Sequence, residues 1–241
     1  MEQYLSNMFG LKGKTVLITG GYRGIGRALS VALAAAGAHI ILTIDSVGGE
    51  YRFYAYDLSS REQILRIVPD MIAYKHDVDI FVHCAGLQHR SPAEGFTDEA
   101  WDTLMNVNLT AGFQISRDME NTGLAQKIVF IASILSFMGG FETPAYTATK
   151  GAVGQLTKAL NNEWMAKGVI VNAIAPGYIE TDLTKALRDH GEKEKVILQR
   201  TPISRWGEPK DLAGSIVHLC SKASDYVGGE IHVVDGGYLG R

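Results

Sequence analysis

Cysteine is scarce in this chain. Its two cysteines, Cys84 and Cys220, among 241 residues are too few for a disulfide framework, and both lie in apolar surroundings where a free thiol packs as a small hydrophobe. A reducing compartment is expected. Positive charge is not in excess either: Lys and Arg number 23 against 26 acids, a net charge of −3. That balance gives no footprint for nucleic acid or an anionic membrane, so the expected partner is a small molecule or another copy of the chain. A membrane-length apolar run is missing. The longest candidate, from Ala28 to Ile44, is divided by Gly37 and His39 into a helix and a strand. The opening MEQYLSNMFG carries an acid where a secretory signal wants bases and has no apolar h-region, which makes the cytoplasm the expected location. Repeats, linkers and low-complexity tracts are absent too, so a second domain has nowhere to begin. One domain over residues 1–241 is expected, an ordinary length for a single α/β unit. No metal site is read from the sequence.

What is present is a 46% hydrophobic composition, arranged as short apolar runs alternating with helical stretches. This argues for a single-domain, Rossmann-like, doubly wound parallel sheet. Strands are read at Lys14–Thr19, His39–Ile44, Phe53–Tyr56 and Asp79–Cys84, in the run KIVFIAS that ends at Ser133, and at Val169–Ile174 and Ile231–Val234. Helices are read through Ala36, over Arg61–Tyr74 with Ser59 or Ser60 as cap, over Thr97–Asp118 and over Asp211–Cys220. One or two mobile helices are expected between Glu180 and Arg205. The Thr97–Asp118 helix is interrupted by Asn106 and Asn108, and Asn is a poor mid-helix residue unless its amide has a task. About eight residues separate the second and third strands, whereas a parallel crossover carrying a helix needs roughly a dozen or more. A shortened, helix-less connection is therefore predicted there.

Two patterns carry chemistry. The first follows the opening strand, where GGYRGIG leads straight into a helix. Gly20, Gly24 and Gly26 would let the backbone turn tightly and approach a pyrophosphate, whose charge meets the helix's N-terminal amides. The second is Tyr146 and Lys150, four residues apart and so on one face of a helix, with Ser133 emerging at a strand's carboxyl end, where open α/β sheets place ligands. A polar cluster, Gln88, His89 and Arg90, follows the fourth strand at the same end of the sheet.

Taken together these motifs resemble the short-chain dehydrogenase/reductase family over nearly the whole chain. The family's Thr-Gly-x-x-x-Gly-x-Gly falls on Thr19 to Gly26, its adenine-contacting Asp on Asp57, its Pro-Gly on Pro176 and Gly177, and its helical Asn on Asn108. The resemblance implies a catalytic set of Asn108, Ser133, Tyr146 and Lys150. It also implies a nicotinamide cofactor held by Gly20, Tyr22, Arg23, Gly24, Ile25, Gly26, Asp45, Asp57, Leu58, Ala85, Gly86, Tyr146, Lys150, Pro176, Gly177, Ile179 and Thr181. A homotetramer is implied as well, with the Trp101 and Trp164 helices as candidate interfaces. One departure stands out: the family's Asn-Ala-Gly is here Cys84-Ala85-Gly86, and a thiol cannot supply an amide's paired donor and acceptor. The bracing credited to that Asn must come from elsewhere.

In such an enzyme Tyr146 is the general acid/base, eased toward ionisation by Lys150. Ser133 bonds the substrate oxygen, and Asn108 holds a water that links Lys150 to solvent. Arg23 beside Gly24 suits a 2′-phosphate, whereas Asp45 lies near where an acid would repel one. NADP(H) is slightly favoured over NAD(H). Stretches such as QHRSPAEGF, SFMGGFETPAYTATKG and VDGGYLGR resemble the family's sugar-acid members, of the 2-deoxy-D-gluconate 3-dehydrogenase kind. Gln88, His89 and Arg90 are the corresponding substrate candidates, Arg90 fitting a carboxylate bidentately. The 3-oxoacyl-acyl-carrier-protein reductases are the rival, for which Lys185, Arg188, Lys193, Lys195 and Arg200 would have to dock an acidic carrier. A non-catalytic dinucleotide-binding module is the third possibility.

Overall fold

Seven apolar runs pair into one sheet in the computed structural model, which describes residues 2–43 and 52–241. The strands are β1 (Thr15–Thr19), β2 (His39–Thr43), β3 (Arg52–Tyr54), β4 (Ile80–His83), β5 (Lys127–Ile131), β6 (Ile170–Pro176) and β7 (Ile231–Val234). Their order is β3-β2-β1-β4-β5-β6-β7, with every neighbouring pair parallel. Ahead of β1 lies α1 (Glu2–Phe9), and the other helices belong to the crossovers that parallel strands need: α2 (Gly24–Ala35), α3 (Arg61–Ala73), α4 (Asp98–Met105), α5 (Ala111–Thr122), α6 (Pro144–Trp164), α7 (Lys185–Arg188), α8 (Gly191–Arg200) and α9 (Ala213–Cys220). The sheet is covered on both faces. Leu29 and Leu33 of α2 pack with Ile216 and Leu219 of α9 against one side, while Ile67, Ile115 and Leu160 of α3, α5 and α6 fill the other. Coverage on both faces explains why the strands read as unbroken apolar runs rather than alternating ones.

The chain begins at β1, winds outward to β3, then returns to place β4 on β1's other side. That reversal opens a crevice at the carboxyl ends of β1 and β4, the usual ligand position in such sheets. The predicted strand positions hold with small shifts: β3 lies at Arg52–Tyr54, β4 stops at His83, and β6 runs on to Pro176. Ser60 rather than Ser59 caps α3, its hydroxyl accepting from Gln63 N at 3.4 Å. The predicted helix-less connection, and with it Asp45, falls in residues 44–51, outside the described residues.

Three features depart from the sequence reading. An additional helix, α1, precedes β1. The single helix expected over Thr97–Asp118 is three pieces, because Asn106–Thr110 forms a wide π-type turn in which Ala111 N reaches back to Asn106 O. Trp164 is buried in the core, whereas Trp101 is 39% exposed, with its ring edge-on to Phe96. Among the described residues no helix is long and apolar enough to cross a membrane.

Candidate active site

The crevice holds a cleft of roughly 840 Å³ and, joined to it, a cavity of roughly 310 Å³. The cleft is floored by main chain. Gly20 has φ of +67°, and a Cβ there would meet Ala85 Cα at 2.8 Å; a Cβ on Gly26 would overlap the Gly20 carbonyl oxygen. Only glycine lets these two turns approach each other. No side chain caps the start of α2 at Arg23, so its first amides face the cleft as anion donors. Along the walls lie Tyr22, Arg23, Gly24, Ile25, Asp57, Leu58, Ala85, Gly86, Tyr146, Lys150 and Thr181. The Asp57 carboxylate is held by Ser59 N at 2.8 Å and Ser59 Oγ at 2.7 Å, which keeps it below the ordinary carboxylate range. A long, anionic, nucleotide-like group fits this lining, which offers the amides that open α2, the Arg23 guanidinium beside them and the anchored Asp57 carboxylate.

Pro176, Gly177 and Ile179 line the smaller cavity rather than the cleft, together with Ser133. Tyr146 borders both, as do Ile25, Ile131, Thr181 and Leu183. Gln88 and Arg90 also reach the cavity, but His89 does not. Its ring packs edge-on to Phe96 with centroids 5.3 Å apart, the apolar contact holding it away from the other two. Tyr178 and Tyr238 line the same cavity and were not anticipated from sequence. They come from the loop after β6 and from the C-terminal turn, sixty residues apart, and nothing local marks their convergence.

At the junction Tyr146 lies in the first turn of α6, one turn before Lys150. Lys150 Nζ donates to Ile131 O at 2.6 Å and lies 5.6 Å from the Tyr146 ring centroid. Burial pushes this ammonium down to about 8. The Tyr146 phenol goes the other way, to about 12, since burial outweighs the lowering by the Ser133 hydrogen bond and the Arg90 charge. In the protein itself, desolvation rather than a neighbouring cation therefore sets the direction of the Tyr146 shift. Ser133 Oγ accepts from Leu135 N at 3.1 Å, which leaves its own proton free to turn toward the cavity.

Asn108 is fully buried and borders neither space. Its Oδ1 accepts from Leu87 N at 2.8 Å, and its Nδ2 donates to Leu87 O at 2.9 Å and Thr149 Oγ1 at 3.2 Å. Both amide hydrogens are spent on protein, so a water at Asn108 would have to donate to one of its oxygens; the side chain ties the β4 loop to α6. The Cys84 thiol faces the cleft near Lys150, and burial pushes it up to about 12, so it is a neutral group there.

A family model described as "Enoyl-(Acyl carrier protein) reductase" matches residues 20–239. The 2-dehydro-3-deoxy-D-gluconate 5-dehydrogenase of Bacillus subtilis (strain 168) is 44% identical over 99% of this chain and 99% of its own. Among solved structures, a provisionally named 2-deoxy-D-gluconate 3-dehydrogenase from Agrobacterium tumefaciens with bound NADP is 41% identical, with a TM-score of 0.88 over 98% of this chain and 100% of that one. A gluconate 5-dehydrogenase from Burkholderia cenocepacia J2315, in complex with NADP and tartrate, is 34% identical with a TM-score of 0.92, covering 98% and 99% of the two chains. The chain belongs to the short-chain dehydrogenase/reductase family. It is an NAD(P)-dependent oxidoreductase that acts on CH–OH groups.

Proposed function

We propose that this enzyme interconverts a secondary alcohol and a ketone on a deoxy-keto sugar acid, with NADP(H) preferred to NAD(H), as a homotetramer. The observation that carries this reading is the position of Tyr146 at the junction of a main-chain-lined cleft and a cavity bearing a guanidinium. When bound in the cleft, the nicotinamide supplies or removes the hydride. In reduction the Tyr146 hydroxyl gives its proton to the carbonyl oxygen, and in oxidation the phenolate takes one from the alcohol. The Ser133 hydroxyl, oriented by Leu135 N, donates to the same oxygen and stabilises its developing charge. Lys150, anchored on Ile131 O, keeps a cation below the Tyr146 ring. Among the described residues the Arg90 guanidinium has one hydrogen bond, a long one of 3.5 Å to Phe141 O, and no carboxylate pairs with it. It is therefore free to take a substrate carboxylate.

NADP(H) is favoured because Arg23 lines the cleft beside Gly24 and can meet a 2′-phosphate. The acyl-carrier reading fits less well, because the bases it needs are in part already paired: Lys185 with Asp189, and Lys193 at 4.0 Å from Glu142. The test is nicotinamide absorbance on purified protein, offering each cofactor with a deoxy-keto sugar acid or with a 3-oxoacyl thioester. Turnover of the sugar acid and not of the thioester is expected. Turnover of the thioester alone would replace this reading with an acyl-chain reductase, and no turnover of either with Tyr146 intact would remove the sugar-acid assignment.

A further inference from the structure

The substitution of a thiol at Cys84 leaves the β4 loop without an amide brace, and the residue before it fills the gap in an unusual way. His83 ends β4, is 3% exposed, and lies between two other elements. Its Nε2 is 3.1 Å from Val107 O, inside the π-type turn. A carbonyl can only accept, so this nitrogen carries the proton, and Nδ1 is left as an acceptor. Thr19 Oγ1, at the end of β1, donates to that Nδ1 at 2.9 Å and in turn accepts from Ala85 N at 3.3 Å. The chain of bonds thus runs from the Ala85 amide through Thr19 and His83 to Val107.

The turn so held is the one that carries Asn108. Asn108 fixes Leu87 through both of its backbone groups and bonds Thr149, whose hydroxyl donates to Tyr146 O at 2.8 Å. A second feature is built around the imidazole. A Cβ on Gly112 would come within 2.8 Å of His83 Cδ2, so glycine at the first turn of α5 is what makes room for the ring. Phe81 and Phe130 flank it, with centroids 6.1 and 6.3 Å away.

We propose that His83 is a positioning residue for the reaction: through Val107 it sets the place of Asn108, and through Asn108 and Thr149 the place of the α6 turn bearing Tyr146. The role rests on the reading of Tyr146 as acid/base. A buried carbonyl and hydroxyl are both stranded when the imidazole is removed, a loss large enough to shift the turn.

The test compares His83→Gln, His83→Asn and His83→Phe by steady-state kinetics and by titration of NADP(H) binding. A Gln amide nitrogen reaches the position of Nε2 and can still donate to Val107 O, whereas Asn reaches only as far as Nδ1, and Phe keeps the ring without either bond. The expected result is a kcat lower by roughly tenfold or more in the Asn and Phe variants, recovery to within about threefold in the Gln variant, and a cofactor Kd changed by less than about threefold throughout. Wild-type kcat in His83→Phe or His83→Asn, or a Gln variant as impaired as the Phe variant, overturns the proposal. Should the Asn and Phe variants fail to fold, Thr19→Val serves. It removes the donor to Nδ1 while leaving the imidazole in place, and is expected to lower kcat by about threefold with Thr19→Ser restoring it; unchanged kcat in Thr19→Val overturns the relay. Tyr146→Phe, run alongside, separates the two readings. Undiminished turnover there removes the acid/base assignment itself, whereas a dead Tyr146→Phe beside fully active His83 variants removes only the brace.

Discussion

Where the larger cleft presents main chain to its occupant, the smaller cavity presents side chains. The cleft is floored by the Gly20–Gly26 turn and the Ala85–Gly86 step. The cavity is walled by Arg90, Ser133, Tyr146, Tyr178 and Tyr238. A surface of backbone amides grips any group of the right shape and charge, and tolerates almost no change in the glycines that expose it. A surface of side chains can be rewritten one residue at a time, and each residue then sets a share of what binds. Chemistry common to a family is therefore expected in the first lobe and substrate choice in the second, with Tyr146 serving both.

The largest effect should come from the residue the lobes share. Tyr146→Phe removes the proton donor and little else, so turnover is expected to fall by roughly 10³-fold in either direction, while NADP(H) affinity by fluorescence titration stays within about twofold. Undiminished turnover would dissolve the comparison at its hinge. Gly26→Ala strikes the cleft alone: the added methyl collides with the Gly20 carbonyl and must push the turn apart. Cofactor affinity should drop by roughly 10- to 100-fold, with a lower Tm, because overpacking a fixed backbone has few ways to relax. An alanine variant that binds cofactor normally would mean that the tight closure of the Gly20–Gly26 turn on itself is not what shapes the cleft.

The pH dependence sharpens the division by direction. With the Tyr146 phenol pushed up to about 12, its protonated form, the one reduction needs, is in place throughout the neutral range. Oxidation needs the phenolate, whose fraction grows about tenfold per pH unit below the pKa. Thus kcat/KM for alcohol oxidation should climb from pH 6 upward while that for ketone reduction stays level. Because oxidation releases a proton, the two slopes must differ whichever group titrates; a level oxidation profile with the pH dependence carried by reduction instead would show that Tyr146 is not the titrating group.

These lobes also differ in how far they could be read from residues alone. Strand, glycine turn and helix lie contiguous from Thr15 to Ala35, so the cleft's local context is written in one stretch, and the apolar runs of a doubly covered sheet name their own strands. The cavity is assembled from five separate places in the chain. Gln88, His89 and Arg90 were all named because they follow a strand end; Gln88 and Arg90 line the cavity, while the His89 ring turns to Phe96. Tyr178 and Tyr238 had no such marker. The wide turn at Asn106–Thr110 was legible only as an irregularity, two asparagines in a helix, because what rewards it is the reach of His83 from another strand. A thiol at Cys84 announced a missing brace; the imidazole next to it needed coordinates.

Side-chain recognition in the cavity predicts two smaller effects of unequal size. Arg90→Ala should raise KM for the sugar acid by roughly 10- to 30-fold with kcat nearly unchanged, since the guanidinium binds a group remote from the reacting carbon. Arg90→Lys should recover only part of this, because an ammonium lacks the fork. An unchanged KM in the alanine variant would take the carboxylate away from Arg90.

Tyr238→Phe is the finest cut. Its ring is almost fully buried, lies 5.2 Å from that of Tyr178 and receives the Arg200 guanidinium at 4.4 Å. These contacts belong to the ring and survive the loss of the hydroxyl, so the C-terminal turn should keep its place. What disappears is the phenol beside Tyr178, whose own hydroxyl burial and that neighbour push up to about 12, so that it is a neutral donor at any working pH. Released from its partner, the Tyr178 hydroxyl can turn to the substrate or away from it. If the pair recognises a sugar hydroxyl together, KM should rise by about two- to fivefold, the worth of one hydrogen bond between neutral groups, with kcat and Tm unmoved. A fall in kcat instead would place Tyr238 with the positioning of Tyr146, and the cavity would then share the cleft's intolerance rather than differ from it.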